Sequence, residues 1–397
     1  MESLEQLYRI GPGPSSSHTL AIKRICECYL SRYPKCELYE VTLYGSLSLT
    51  GKGHMTDKVI EKTFYPQKVK IIFSDVWKEQ PNTLTITDSV HPLTFYSTGG
   101  GAFEIKGEGS TVNNKVYPET KMNEILVLCQ EKHWDLVQYV LNYEPDILDY
   151  LETILKQMFT TINKGLKTTG LLPGRLKIER ISGKLYEEAK VNNDPNERMI
   201  LMVSAFAYAS SEENAAGGTV VTAPTLGSCG VLPAVLYYYD QERKTPFEKL
   251  VKALAVAGIF GNIIKTNATI SGAQGGCQAE IGTACAMAAG ALGYIEGLNN
   301  HQISYAAEIG IEHNLGLTCD PVEGYVMIPC IERNGVCALR AIDAAKYAKY
   351  IGRIKPNRVS FDMVVETMNY TGKKIARELK ETSLGGLAEV VIKKRTD

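Results

Sequence analysis

The chain changes character once, near residue 120, and that change limits the folds open to it more than any other feature. From residue 38 to about residue 106 apolar and polar residues alternate in the segments YEVTLYGSL, KVKIIF, TLTITD and PLTFYSTGG, the period-two pattern of strands with one buried face. Residues 17–33 carry Leu20, Ala21, Ile25, Cys28 and Tyr29 at helical spacing, so one helix is expected to lie on a small sheet. The polar stretch KGEGSTVNNKVYPET follows and is the best linker candidate. Beyond Lys121 come long runs rich in alanine, leucine and glutamate, among them EKLVKALAVAGIFGNIIK and CQAEIGTACAMAAGALGYIEG. Their small residues let helices approach closely in a dense core. The length of 397 residues exceeds one ordinary core, since single cores seldom grow past about 250 residues. A multi-domain chain is therefore expected, with a small N-terminal α+β domain (1–118) and a larger all-α domain (119–397).

A hydrophobic share of 44%, a charged share of 22% and a net charge of -1 describe a globular protein with no electrostatic reason to bind nucleic acid or an anionic membrane. The start, MESLEQLYRI, lacks the basic and apolar blocks of a targeting segment. A cytoplasmic location is expected. The most apolar stretch, GTACAMAAGALG at 282–293, is too short for a bilayer span, which needs roughly 20 apolar residues, and suits a buried helix. In a reducing compartment the ten cysteines should not form disulfides. Cys26, Cys28, Cys36, Cys129, Cys229, Cys285 and Cys337 are assigned the ordinary role of small buried apolar side chains.

Four segments hold residue types that a core does not require. Residues 11–19, GPGPSSSHT, set hydroxyls before a helix, where they suit an anion or simply cap the helix. Residues 44–57, YGSLSLTGKGHMTD, place His54 in a glycine-framed loop after a strand. Such a histidine titrates near neutrality and can serve as a general base, or merely be solvated. Residues 214–233, NAAGGTVVTAPTLGSCGVLP, and the STGGG at 97–101 can bring backbone N–H groups to a ligand or form close-packed turns.

The fourth set is SGAQGGCQAEIG around Cys277, EHNLGLTCDPVEG around Cys319 and IPCIERN around Cys330. The spacing is not that of a structural zinc site. Each cysteine lies among small residues that can wrap a bulky inorganic centre. Three thiolates suit a four-iron cluster with one open iron, which would act as a Lewis acid; three buried structural cysteines remain the alternative.

Taken together, GPSSSHT, YGSLSLTGKGHMTD, EENAAGG, TAPTLGSCGVLPAVL, NATISGAQGGCQAEIG, EHNLGLTCDPVEG, IPCIERN and KETSLGGLA resemble, in order and over nearly the whole chain, the iron-sulfur-dependent bacterial L-serine dehydratases. The resemblance implies a small α+β domain, a larger helical catalytic domain and a [4Fe-4S] cluster on Cys277, Cys319 and Cys330. It implies catalytic roles for His54, as the base that removes the α-proton of L-serine, and His18, as an orienting partner, with the reverse assignment open. Ser15, Ser16, Ser17 and Thr19 would bind the substrate, with Asn267 and Ser271 as further candidates. A homo-oligomer is expected. Two departures stand out. No cysteine follows GGLA in GGLAEVVIKKRTD, so water or another ligand is expected on the fourth iron. No clear counterpart of a His-x-Asn-Gly segment precedes STGGG; residues 78–82 occupy about that place.

Three other readings stay open. The same elimination on L-threonine or L-cysteine needs only a slightly different pocket, because one methyl group is worth about 1–3 kcal/mol. A pyridoxal-phosphate lyase would use Lys265 as its Schiff-base lysine. A non-enzymatic amino-acid or redox sensor would use the cluster as an oxygen-labile switch.

Overall fold

The computed structural model describes residues 1–110 and 115–396, apart from the side chains of residues 110 and 392–396. Part of the expected linker, residues 111–114, therefore lies outside the described residues, as do the side chains of the last residues after GGLA. The strands in chain order are β1 (Ile10–Pro12), β2 (Leu38–Leu43), β3 (Lys68–Phe73), β4 (Thr83–Thr87), β5 (Leu93–Gly99), β6 (Ala102–Ile105), β7 (Gly109–Ser110) and β8 (Thr219–Val221). Among the described residues β2 to β7 form one six-stranded sheet of order β3-β2-β4-β5-β6-β7. Only β2 and β3 pair in parallel, with Val41 opposite Ile71. The helix Thr56–Phe64 lies in the connection between them, as a parallel pair requires.

The alternation seen in the sequence puts Tyr39, Val41, Leu43, Leu84, Ile86 and Phe95 on one face of this sheet. That face is covered by Ile22, Ile25, Cys26 and Tyr29 of the helix Ala21–Arg32 and by Ile60 and Phe64. Burial of each large apolar side chain contributes about 1.5–3 kcal/mol, so this small core holds the α+β half together.

The rest of the described chain is mainly helical. The helix Pro195–Ala215 starts where Asp194 accepts hydrogen bonds from the N–H groups of Asn196 (2.7 Å) and Glu197 (3.1 Å), with proline at the first helical position. The apolar stretch around residue 288 is a buried helix, Thr283–Ile295, with Tyr294 its one side chain short of full burial. Its close packing depends on glycine: a Cβ on Gly290 would lie 2.4 Å from the Phe260 ring. No helix among the described residues is long and apolar enough to cross a membrane.

The first twelve residues do not join the small sheet. Met1, Leu4, Leu7 and Tyr8 are buried in the core of the helical half. Strand β1 pairs antiparallel with β8, Gly11 opposite Val220. This pairing carries the chain from the helical body into the serine-rich segment, and so fixes that segment between the two halves.

Candidate active site

Ser15 begins the serine-rich turn by accepting a hydrogen bond from the His18 N–H (3.2 Å). A one-turn π-helical stretch, Ser16–Leu20, follows and runs directly into the helix Ala21–Arg32. The approach to the turn is clamped by the EENAAGG segment, where Asn214 Nδ2 donates to Pro14 O at 2.8 Å. The Thr19 hydroxyl is committed to its own loop, donating to Pro12 O at 2.9 Å and accepting from the Ser15 N–H at 3.2 Å. Ser16 and Ser17 are buried in the same turn.

His18 and His54 stack with ring centroids 4.3 Å apart. His54 lies in the turn between the Ser46–Leu49 helical turn and the helix Thr56–Phe64. Its Nδ1 is 3.0 Å from Thr50 O, so Nδ1 carries the proton and Nε2 is left as the basic nitrogen. His18 has the opposite tautomer. Its Nε2 faces Thr50 Oγ1 (2.9 Å) and Ser46 O (3.2 Å). The Thr50 hydroxyl already donates to Ser46 O and the Ser46 hydroxyl to Glu381 O. His18 Nε2 must therefore be the donor. Full burial, together with the neighbouring His54, lowers the His18 pKa to about 4 and keeps it neutral.

Glu381 joins the two rings, with Oε1 3.7 Å from His18 Nδ1 and 3.6 Å from His54 Nε2. These are ion-pair rather than hydrogen-bond distances. Burial opposes ionisation of Glu381, but positive charge on the neighbouring imidazoles when they are protonated, together with the Ala273 N–H pointing at the carboxylate, lowers its pKa. The side chain is placed by a bridge between Cys319 and Lys380, in which Glu381 N donates to Cys319 O at 2.6 Å. The KETSLGGLA segment thus reaches the site through Glu381, which sequence reasoning did not single out. Its only signal was membership of that segment.

The three cysteines arrive on separate elements. Cys277 directly precedes the turn Gln278–Gly282 that leads into the buried helix Thr283–Ile295. Cys319 lies in an extended segment with its N–H on Leu379 O (2.8 Å). Cys330 is the first residue of the helix Cys330–Ile351, tied through Asn334 Nδ2 to the glycine-rich segment at Gly227 O (2.9 Å). All three line one small cavity together with Ser15, His54, Gly227, Glu280, Arg333 and Glu381. A hydrogen bond from the Cys319 thiol, opposed by burial and aided by the Arg333 guanidinium, lowers the Cys277 pKa to about 6. Cys319 and Cys330 are pushed up, Cys319 chiefly by that same bond and Cys330 by burial. Burial also raises the pKa of Glu280, whose Oε1 accepts from Thr225 Oγ1 at 2.7 Å.

Two donor sets capable of holding a metal therefore face each other. One is His18, His54 and Glu381, whose donor atoms lie within 4.8 Å of one another. The other is the three thiols, beside a guanidinium that balances thiolate charge. The first set has one histidine fully engaged in hydrogen bonds and suits proton transfer. The second, all sulfur and drawn from three segments around a cavity, fits a bulky cluster.

Ser271 is buried near this site, its hydroxyl without a partner. Asn267 is not brought there. It is exposed at the end of the helix Phe247–Asn267, and its amide donates to Thr120 O (2.6 Å) and Ile263 O (3.0 Å). Lys265 is ion-paired to Glu2 at 2.6 Å in a different pocket.

Comparison with known proteins gives a consistent result. The family described as "Serine dehydratase alpha chain" matches residues 67–388, and "Serine dehydratase beta chain" matches residues 3–64. The chain is 38% identical to the L-serine dehydratase of Haemophilus influenzae over 458 aligned positions, covering 99% of this chain and 100% of that protein. It is 38% identical to L-serine dehydratase 1 of Escherichia coli, with 98% and 99% covered. For the L-serine dehydratase of Helicobacter pylori (strain 26695) the identity is 34%, with the same coverage.

Proposed function

The chain belongs to the serine dehydratase family, and on that premise we propose that it deaminates L-serine to pyruvate and ammonia in the cavity between its two halves. The observation that carries this reading is the convergence of His54 with Cys277, Cys319 and Cys330 on one cavity. A base and a set of cluster ligands, contributed by different parts of the fold, face the same small space.

His54 is the general base. It lines the cavity, whereas His18 is fully buried behind it. With Nδ1–H held on Thr50 O, His54 Nε2 takes the α-proton of serine, and the C–H electron pair becomes the Cα–Cβ double bond as the β-hydroxyl departs. The Glu381 carboxylate stabilises the imidazolium that forms. His18 holds Thr50 in place through Nε2–H and does not itself exchange protons with substrate. Ser15 is the member of the serine run that reaches the cavity, where it positions His18 and contacts substrate. Cys277, Cys319 and Cys330 are the residues that would hold a [4Fe-4S] cluster, which supplies a Lewis acid that eases loss of hydroxide at neutral pH. The aminoacrylate product tautomerises to an imine, and water hydrolyses it to pyruvate and ammonia. Free thiols at all ten cysteines suit a cytoplasmic location.

The test is anaerobic turnover of L-serine, L-threonine and L-cysteine, read as 2-oxo acid and ammonia. L-serine is expected to have the highest kcat/KM. A clear preference for either of the others would overturn the substrate assignment.

A further inference from the structure

Arg333 is joined to all three cysteine segments. It lies three residues after Cys330 on the helix Cys330–Ile351. Its Nη1 donates to Thr318 O at 2.9 Å, one residue before Cys319. The guanidinium also donates toward the Cys277 sulfur, and its charge acts on all three sulfurs, on Cys277 most strongly. These segments are separate in the chain, and one planar fork with several N–H donors spans them.

The position of Arg333 is fixed by its neighbour. Asn334 Nδ2 donates to Cys330 O (2.8 Å) and Gly227 O (2.9 Å), and Asn334 Oδ1 accepts from the Gly230 N–H (2.9 Å). The local charge balance is one-sided. Among the described residues that line the cavity, Arg333 alone carries a permanent positive charge, whereas Glu280, Asp320 and Glu381 are acidic. Arg333 is half-buried, so its field is screened less than that of an exposed side chain. A four-iron core on three thiolates is negatively charged, and burying such a charge without a counter-ion is unfavourable. Net charge and hydrogen bonds to the sulfurs are also what set the reduction potential of such a core.

We propose that Arg333 is a positioning residue for the cluster: its fork gathers the three thiol segments, and its charge raises the cluster's reduction potential and so protects it from dioxygen. This rests on the cluster reading above. A positive charge beside the sulfurs favours the more negative, reduced state of the core. The core therefore gives up an electron less readily. In air one electron leaves the core and reduces dioxygen to superoxide; the oxidised core then sheds one ferrous ion and keeps the remaining three irons. Arg333 opposes the first of these steps.

The experiment compares Arg333→Gln, which removes the charge, and Arg333→Lys, which keeps it, with the wild type in anaerobically purified protein of matching circular dichroism. It measures iron and sulfide content, the cluster's midpoint potential by a redox titration followed by electron paramagnetic resonance, and the rate of iron release in air. Arg333→Gln should shift the potential negative by about 59 mV or more, a tenfold change in a one-electron equilibrium, and release iron faster. Arg333→Lys should stay closer to wild type in both. Should Arg333→Gln take up no cluster, Arg333→Lys decides: uptake at the wild-type level supports the charge assignment, and loss of the cluster there as well overturns it. An unshifted potential in iron-loaded Arg333→Gln, or an equal shift in both variants, overturns the proposal and leaves the cluster reading standing. A wild type without iron and sulfide overturns the cluster reading, and this inference with it.

Discussion

His18 and His54 are stacked neighbours, but their hydrogen bonds assign them different tasks. His54 exposes an unprotonated Nε2 beside the cavity, and His18 spends its Nε2 proton on Thr50. Replacing His54 by alanine is expected to lower kcat about 10²- to 10⁴-fold with iron content unchanged, measured by anaerobic pyruvate formation. His18 makes a different, thermodynamic prediction. Its folded pKa, lowered to about 4 by burial and by His54, lies below the value near 6.5 expected when unfolded. Between these values the unfolded chain binds more protons, so the stabilisation is complete above about pH 6.5 and is lost as pH falls toward 4, about 3 kcal/mol in all. Urea unfolding from pH 7 to pH 4.5 should show this slope, and His18→Asn should flatten it. His54 was singled out in the sequence by its glycine-framed loop, and His18 only by the resemblance of its SSSHT segment to the family. Glu381 was not, because a glutamate near a chain turn is ordinary until folding brings it against the two imidazoles.

At the scale of elements, the two periodicities were enough to place β2 to β5 and the long helices, because each has one apolar face or is apolar throughout, whereas β6 was not read and β7 lies in the segment read as a linker. The destination of residues 1–12 was not readable: Ile10–Pro12 pairs with Thr219–Val221, and no local pattern encodes so distant a partner. Nor did the glycines announce which contacts they serve. Gly290 lets the buried helix Thr283–Ile295 meet Phe260 at a distance closed to any side chain, and Gly258 does the same for Leu4, where a Cβ would lie 2.6 Å from Cδ2. Gly290→Ala and Gly258→Val are each expected to destabilise the protein by about 1–3 kcal/mol, read from denaturant unfolding, with KM for L-serine unchanged in the folded fraction. Wild-type stability in both variants would mean that the helices are not packed as described.

At the scale of the molecule, the proposed base comes from the first hundred residues, while the thiols and Glu381 come from the helical half and its C-terminal segment. On the proposed reading neither half holds a complete site. This arrangement explains why the family resemblance runs the length of the chain rather than stopping at one domain. The claim that organises the account is that Cys277, Cys319 and Cys330 hold an iron-sulfur cluster opposite His54. Its most direct test is iron and acid-labile sulfide content measured together with L-serine deaminase activity, in anaerobically purified wild type and in Cys277→Ser, Cys319→Ser and Cys330→Ser. Wild type is expected to carry about four iron and four sulfide per chain, to lose activity and iron together in air and to regain both with iron and thiol, while each variant loses both. Full serine deaminase activity in iron-free protein, or in any of the three variants, would contradict it.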